Sequence, residues 1–269
     1  VKLAFSSDNH FDVNRLSVDE LLPRQAEYLV QNQIDLYIIA GDLFNDFSKS
    51  LAYCRRLSEI GQGSFAVRFL AGNHDMASGV TYEELESDID PLYFHNKSLD
   101  IGDSYRLIGN NGWYDYGFDN QNHPKAEIEH FKHELWYDRR IQQPMSDPER
   151  CLINLQQIEN QIKQADGRKL ILVDHFVPIV DFVDQLPYRN PRLKILNAFL
   201  GSPKLGELAD QSPVVATISG HLHLHLSPIN HGKNTYYNSA VGYQTRRIHE
   251  WQSDNFMTEW QQSMVFLTV

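Results

Sequence analysis

Five clusters of Asp, Asn and His punctuate this chain: Asp8-Asn9-His10, Gly41-Asp42, Gly72-Asn73-His74-Asp75, Asp174-His175 and Gly220-His221-Leu222-His223. Carboxylate, imidazole and amide oxygen are donors that suit Mg, Mn, Fe or Zn, and the lack of thiolate among them disfavours softer metals. Singly, an Asp-x-His or a Gly-His-x-His is a weak signal. Five such clusters in one chain outline a metal site, if the fold delivers them to one cleft.

Each cluster follows a short apolar run: Lys2 to Phe5, Leu36 to Ala40, Phe65 to Leu70, Leu170 to Val173 and Val214 to Ile218. Runs of this length, bounded by Gly and turn residues, read as buried strands, and open α/β sheets collect their ligands beyond the carboxyl ends of the strands. Asp42, just beyond the run that ends at Ala40, is the residue around which the others are organised. Helical patterns separate the strands. Ser17 to Glu20 has the form of a capping box, but Pro23 conflicts with a helix continuing through it, so the main helix starts either there or at Ser17 and ends near Asn32. Ser48 to Ile60 places Leu51, Leu57 and Ile60 at helical spacing before the stop Gly61-Gln62-Gly63. A helix is expected from Tyr82 to Ile89, and a strand from Tyr105 to Gly109.

Between residues 113 and 167 strand-like runs vanish, and helices are predicted over Glu127 to Tyr137 and Pro148 to Ala165. The second carries Leu152, Leu155, Ile158 and Ile162 on one stripe. This helical excursion either covers the cleft or packs on an outer sheet face. Pro191 and Pro203 are expected to open short helices. After His223 the texture is that of antiparallel strands: Leu224 to Leu226, Thr235 to Asn238 and Met264 to Leu267. One domain over residues 1–269 is expected.

The formal net charge of −11 and the absence of a Lys/Arg-rich run argue against tight nucleic-acid binding. Two cysteines far apart, Cys54 and Cys151, make neither a disulfide framework nor a thiolate site. No apolar run approaches the roughly 20 residues that cross a bilayer, and the chain, which starts at Val1, is expected to be cytoplasmic and not membrane-bound.

In order and residue type, Asp8-x-His10, Gly41-Asp42, Gly72-Asn73-His74-Asp75, His175 and Gly220-His221-x-His223 resemble the calcineurin-like metallophosphoesterases, over a span from Asp8 to about Ser239. The resemblance implies an α/β fold, a four-layer α/β/β/α sandwich of two mixed sheets flanked by helices. It also implies two divalent metal ions, Mn first, with Fe or Zn as alternatives. Asp8, His10 and His223 would hold one ion, Asn73, His175 and His221 the other, and Asp42 would bridge them. A bridging carboxylate suits two cations roughly 3.5–4 Å apart, the spacing that clamps an in-line phosphoryl displacement, with a shared hydroxide as nucleophile. His74 is implied as the residue that stabilises the phosphoryl oxygens and protonates the leaving group. Asp75 is expected to hydrogen-bond to His74 and raise its pKa. The chain departs from the family at Phe176, where a second His often follows the ligand, although Pro178 keeps the frame.

Hydrolysis of a phosphomonoester or phosphodiester follows, on a phosphorylated small-molecule or nucleotide-like substrate. Trp113-Tyr114-Asp115-Tyr116 and Tyr188-Arg189 are candidates for contacting the leaving group, with Arg189 or Arg192 able to grip a second phosphate. A DNA nuclease of the same superfamily and a non-catalytic scaffold with the same fold are the competing readings. His225 is expected to be a strand-edge residue, and the oligomeric state stays open.

Overall fold

The structure, a computed structural model, describes residues 1–188 and 190–269; the expectation for Arg189 lies outside them. The first half is a run of crossovers: β1 (Lys2–Ser6), α1 (Val18–Gln31), β2 (Leu36–Ile39), α2 (Phe47–Gly61) and β3 (Ala66–Phe69). β1, β2 and β3 pair in parallel, so their carboxyl ends lie on one edge. The short helix α3 (Tyr82–Leu85) follows, and the chain then enters a second sheet through β4 (Lys97–Ile101) and β5 (Tyr105–Asn110). After α4 (Lys125–Leu135) and α5 (Asp147–Lys163) comes β6 (Lys169–Asp174). Then α6 (Val180–Val183) and α7 (Pro203–Asp210) lead to β7 (Val214–Ser219), β8 (Ile229–His231) and β9 (Asn234–Asn238). The chain ends with α8 (Phe256–Ser263) and β10 (Val265–Thr268), which pairs antiparallel with β1.

The two sheets run β10-β1-β2-β3 and β4-β5-β6-β7-β9-β8. Strand alternation shows how they pack, because successive side chains leave a strand on opposite faces. Leu3, Phe5, Leu36 and Ile38 of the first sheet meet Leu107, Ile171, Val173, Ala216 and Ile218 of the second in one buried cluster. The intervening residues face outward: Ala4, Tyr37 and Ile39 onto α1 and α2, and Leu170, Leu172 and Val214 onto α5 and α7. The four-layer sandwich follows from that division.

Several boundaries differ from the sequence expectations. α1 starts at Val18 and carries Pro23 inside it, and the Ser17 side chain makes no capping bond. α3 stops at Leu85 instead of Ile89. Leu224 to Leu226 is not a strand; Asn238 Nδ2 donates instead to the carbonyls of Leu222 and Leu224. β9 pairs in parallel with β7, and β10 joins the opposite sheet, so the predicted local meander is divided between two sheets. Of the excursion over 113–167, α5 covers the second sheet, whereas the 3-10 turn Tyr137–Arg140 reaches the cleft. No helix among the described residues is long and apolar enough to cross a membrane.

Candidate metal centre

The parallel strands bring the five clusters together. Asp8 and His10 follow β1, Asp42 follows β2, Asn73 and His74 follow β3, His175 follows β6, and His221 and His223 follow β7. Their loops are tied by main-chain bonds: Asp8 N–H donates to Gly41 O, His10 N–H to Asp42 O, and Gly220 N–H to His175 O. Asn111 Oδ1, beyond β5, accepts from Ala71 N–H beyond β3 and fixes one sheet's edge to the other's.

Each buried carboxylate has one oxygen anchored and one turned inward. Asp8 Oδ2 accepts from Ser7 Oγ at 2.5 Å and from His221 N–H at 2.9 Å, while Oδ1 lies 3.1 Å from His223 Nε2 and 3.7 Å from His10 Nε2. Asp42 Oδ1 accepts from His74 N–H at 2.8 Å, and Oδ2 lies 3.7 Å from His10 Nε2 and 3.5 Å from His175 Nε2. One oxygen of Asp42 therefore faces an imidazole from each of two groups. His175 Nε2 is also 3.2 Å from Asn73 Oδ1. Asp8, His10 and His223 form one set of mutually close donors, and Asp42, His175 and His221 another; either could hold a metal ion.

The outward nitrogens of the imidazoles show which atoms remain for a metal. His175 Nδ1 donates to Ala40 O at 2.7 Å and His223 Nδ1 to Glu250 Oε2 at 2.8 Å, which leaves both Nε2 atoms directed inward. His221 Nε2 is engaged by Phe199 O at 3.2 Å, which leaves Nδ1. Asn73 Nδ2 donates to Asp138 Oδ1 at 2.7 Å, so its amide oxygen faces the cluster. Partners of this kind orient metal ligands. The result is a convergence of ligand atoms, with His10 Nε2 and His223 Nε2 only 3.2 Å apart. A proton bridges such a contact in the metal-free protein, and a bound cation would take its place. The backbone is shaped for it as well: Asp8, His10, Asp42 and His221 all hold positive φ, at 56°, 45°, 58° and 66°. Non-glycine residues rarely take that region, and such outliers gather at functional sites. A Cβ at Gly72 would collide with the Asp42 carboxylate, and one at Gly220 with Ser7 and Asp8, which is why the two motifs carry Gly there.

Charge follows the same pattern. Burial pushes the Asp8 and Asp42 carboxyls up, but the surrounding imidazoles outweigh it and hold both well below the ordinary range. Burial likewise opposes charge on His175 and His223. Asp42 and Asp8 overcome it at His175, and Asp8 and Glu250 at His223, so that each rises to about 10. Metal-free protein at pH 7 therefore carries protons on both rings that ligation must displace. Loading is expected to release about two protons, and apparent affinity to rise with pH from 6.5 toward 10. Calorimetry in buffers of different ionisation enthalpy measures that number. No net release would be inconsistent with these rings as ligands.

His74 sits beside this cluster, but not as the sequence suggested. Asp75 does not hydrogen-bond to it. The turn Asp75–Ala77 directs the Asp75 carboxylate away from the ring, where Oδ2 accepts from Asp42 and Gly72 N–H and Oδ1 from Leu43 N–H, Phe44 N–H and Ser50 Oγ. Asp75 thus shapes the loop that carries Asp42. The partner of His74 Nδ1 is Asn45 Oδ1 at 2.7 Å, which also accepts from Tyr137 OH at 2.5 Å. Asn45 Nδ2 donates to Asp12 Oδ2, so the amide orientation is set and the His74 proton belongs on Nδ1. His74 Nε2 faces Tyr243 OH at 3.1 Å, and its ring stacks on Tyr137 at 3.8 Å. Burial lowers the His74 pKa; the charge of Asp42 opposes this, His10 and His223 reinforce it, and the ring settles at about 3. The expected rise is reversed.

The leaving-group candidates fare differently. Trp113 and Tyr114 are buried behind the site, where Trp113 Nε1 donates to Asp147 and Lys132 lies over both rings; they do not line the cleft. Aromatic bulk in this part of the chain builds core. Arg192 is exposed and outside the cleft lining. Phe176, at the departure from the family pattern, is fully buried and packs 4.7 Å from the His221 ring. His225 is not a strand-edge residue but pairs at 2.5 Å with the buried Glu259. Asp138, Glu250, Asn45, Tyr137 and Tyr243 were not legible as site residues. Asn45 lies only three residues beyond Asp42, and the others lie outside the five clusters. Replacing Glu250 by Ala is expected to weaken metal binding by roughly 10–100-fold, as loss of an orienting partner does; a metal titration of the variant checks this.

The pattern of the calcineurin-like phosphoesterases matches residues 1–225, and the chain belongs to that family. Among solved structures it is similar to the phosphopantetheinyl hydrolase of Mycobacterium tuberculosis, with TM-score 0.69 and 16% identity over 99% of this chain and 95% of that one. It is also similar to a dimetal phosphatase from Danio rerio, with TM-score 0.52 and 11% identity over 88% of this chain and 86% of that one. At these identities the likeness is one of fold. Comparison with curated protein sequences gives no match.

Proposed function

We propose that this protein is a metal-dependent phosphoesterase that hydrolyses a phosphomonoester or phosphodiester at the Asp42 cluster. The observation that carries the reading is the inward oxygen of Asp42, which lies between His10 and His175 and so between two sets of donors. Asp8, His10 and His223 would hold one divalent ion and Asn73, His175 and His221 the other, with Asp42 shared; Mn is the first choice and Fe or Zn the alternatives. When bound, the ions supply an ionised water and positive charge to the phosphoryl oxygens.

The chain's own groups do the rest. His74, held by Asn45 and stacked on Tyr137, presents Nε2 beside Tyr243 OH at the cluster. A neutral ring with its proton on Nδ1 cannot protonate an oxygen from Nε2. A bound phosphoryl anion, however, favours the imidazolium, since a nearby opposite charge stabilises the charged form. His74 then binds the anion and passes the Nε2 proton to the leaving oxygen, and Tyr243 OH keeps that nitrogen in place beforehand. Acid catalysis of this kind contributes about 10²–10⁴-fold.

The name of the Mycobacterium neighbour makes a phosphopantetheinyl ester a sensible member of the substrate panel. The test is hydrolysis of nitrophenyl phosphate, bis-nitrophenyl phosphate and that ester by the metal-loaded protein. Turnover of at least one, lost on chelation and restored by metal, supports the reading, and the ratio of the first two separates monoesterase from diesterase. A protein that keeps both ions and turns over none of them would instead fit the scaffold.

A further inference from the structure

Above the Asp42 cluster opens a cleft of about 730 Å³, within the roughly 300–1,000 Å³ of small-molecule sites. Its floor is polar, formed by Asp42, Asn73, His74, His221 and His223. Its walls are not. Leu186 and Pro187 follow α6, Leu196 and Leu200 come from the 3-10 segment Pro191–Phe199 and its cap, and Leu222 and Leu224 alternate with the histidines beyond β7. Trp136 closes one side. Neither Lys nor Arg occurs among the described lining residues.

Positioning the metal donors does not require this wall, because their outward atoms are held by Ala40, Phe199, Glu250 and Asp138. An aliphatic wall contiguous with a charged floor leaves apolar area wet unless a ligand covers it. The arrangement divides a phosphoester in two: the phosphoryl group on the floor, the alcohol along the leucines.

We propose that the cleft selects phosphoesters whose alcohol is long, uncharged and mostly apolar, and disfavours charged or heavily hydroxylated alcohols such as sugars. The proposal rests on the phosphoesterase reading of the floor. A sugar would leave hydroxyls against Leu186, Leu196 and Leu224, whose side chains offer no hydrogen-bond partner, and unmatched polar groups are costly to bury.

Binding of non-hydrolysable alkylphosphonates to the metal-loaded protein tests this without turnover. From methyl to hexyl, Kd is expected to fall about three- to fourfold per methylene, as burial of a CH₂ gives, with an increasingly negative heat-capacity change. A carboxyalkylphosphonate of equal length is expected to bind at least tenfold more weakly, because the described lining offers the acidic Glu250 and neither Lys nor Arg to its carboxylate. Leu196→Asn and Leu186→Asn should each reduce the dependence on chain length, with metal content reporting that the fold is kept. A Kd independent of chain length, or a dependence unchanged in both variants, overturns the proposal. Nitrophenyl phosphate assayed on the same preparation keeps the two claims apart: hydrolysis with a flat phosphonate series defeats only the proposal about the cleft. A steep series with no hydrolysis of any ester defeats the phosphoesterase reading.

Discussion

An Asp42→Asn protein is expected to bind no more than one divalent ion per chain and to lose about 10³-fold in turnover, because several kcal/mol of transition-state stabilisation go with a second ion and each 1.4 kcal/mol is tenfold. Asn is the informative substitution. Asp42 has φ 58°, a region that Asn tolerates and that strains Ala. The amide oxygen can still accept from His74 N–H, as Asp42 Oδ1 does at 2.8 Å. What disappears is the inward anionic oxygen that faces His10 and His175. Asp42→Ala would remove that oxygen and add strain, so a larger loss of stability in Ala than in Asn, at equal loss of metal, separates coordination from folding. Elemental analysis of reconstituted protein and a kinetic assay are sufficient. Two ions retained in Asp42→Asn would remove the bridging role.

His74→Ala is expected to keep both ions and lose about 10²–10⁴-fold in turnover of esters with poor leaving groups, the usual scale of acid catalysis. The nitrophenyl esters, whose leaving group needs no proton, should lose much less. Metal retention is expected because the backbone bond from His74 N–H to Asp42 survives the substitution. The contrast between leaving groups is the diagnostic readout. An equal loss on both substrates would instead assign His74 to binding the phosphoryl oxygens alone. Tyr243→Phe, which removes the hydroxyl at Nε2, should show the same contrast in weaker form.

Strands and their carboxyl-end clusters were legible because two periodicities and a handful of residue types carry them. Parallel strands within each sheet, and the packing of the two sheets face to face, then bring Asp8, Asp42, Asn73, His175, His221 and His223 together. The orienting partners were not legible, since they come from elements far away in sequence. Asp138 reaches Asn73 from a turn 65 residues later, and Glu250 reaches His223 from 27 residues later. Neither carries a local signal. The Asp75 expectation failed for a related reason. Adjacency in sequence suggested a His-Asp pair, but a tight turn directs neighbouring side chains apart, and the unpaired amides of the Asp42 loop claim the carboxylate. Trp113 and Tyr114 misled because an aromatic run reads alike whether it lines a cleft or fills a core.

The most direct measurement is a metal titration of chelator-stripped protein, following bound ions and nitrophenyl ester hydrolysis together. Binding that saturates at two ions per chain, with hydrolysis absent at zero and maximal at two, is the expected result. Hydrolysis that persists in the stripped protein, or saturation with no ion bound at the Asp42 cluster, would contradict a two-metal phosphoesterase.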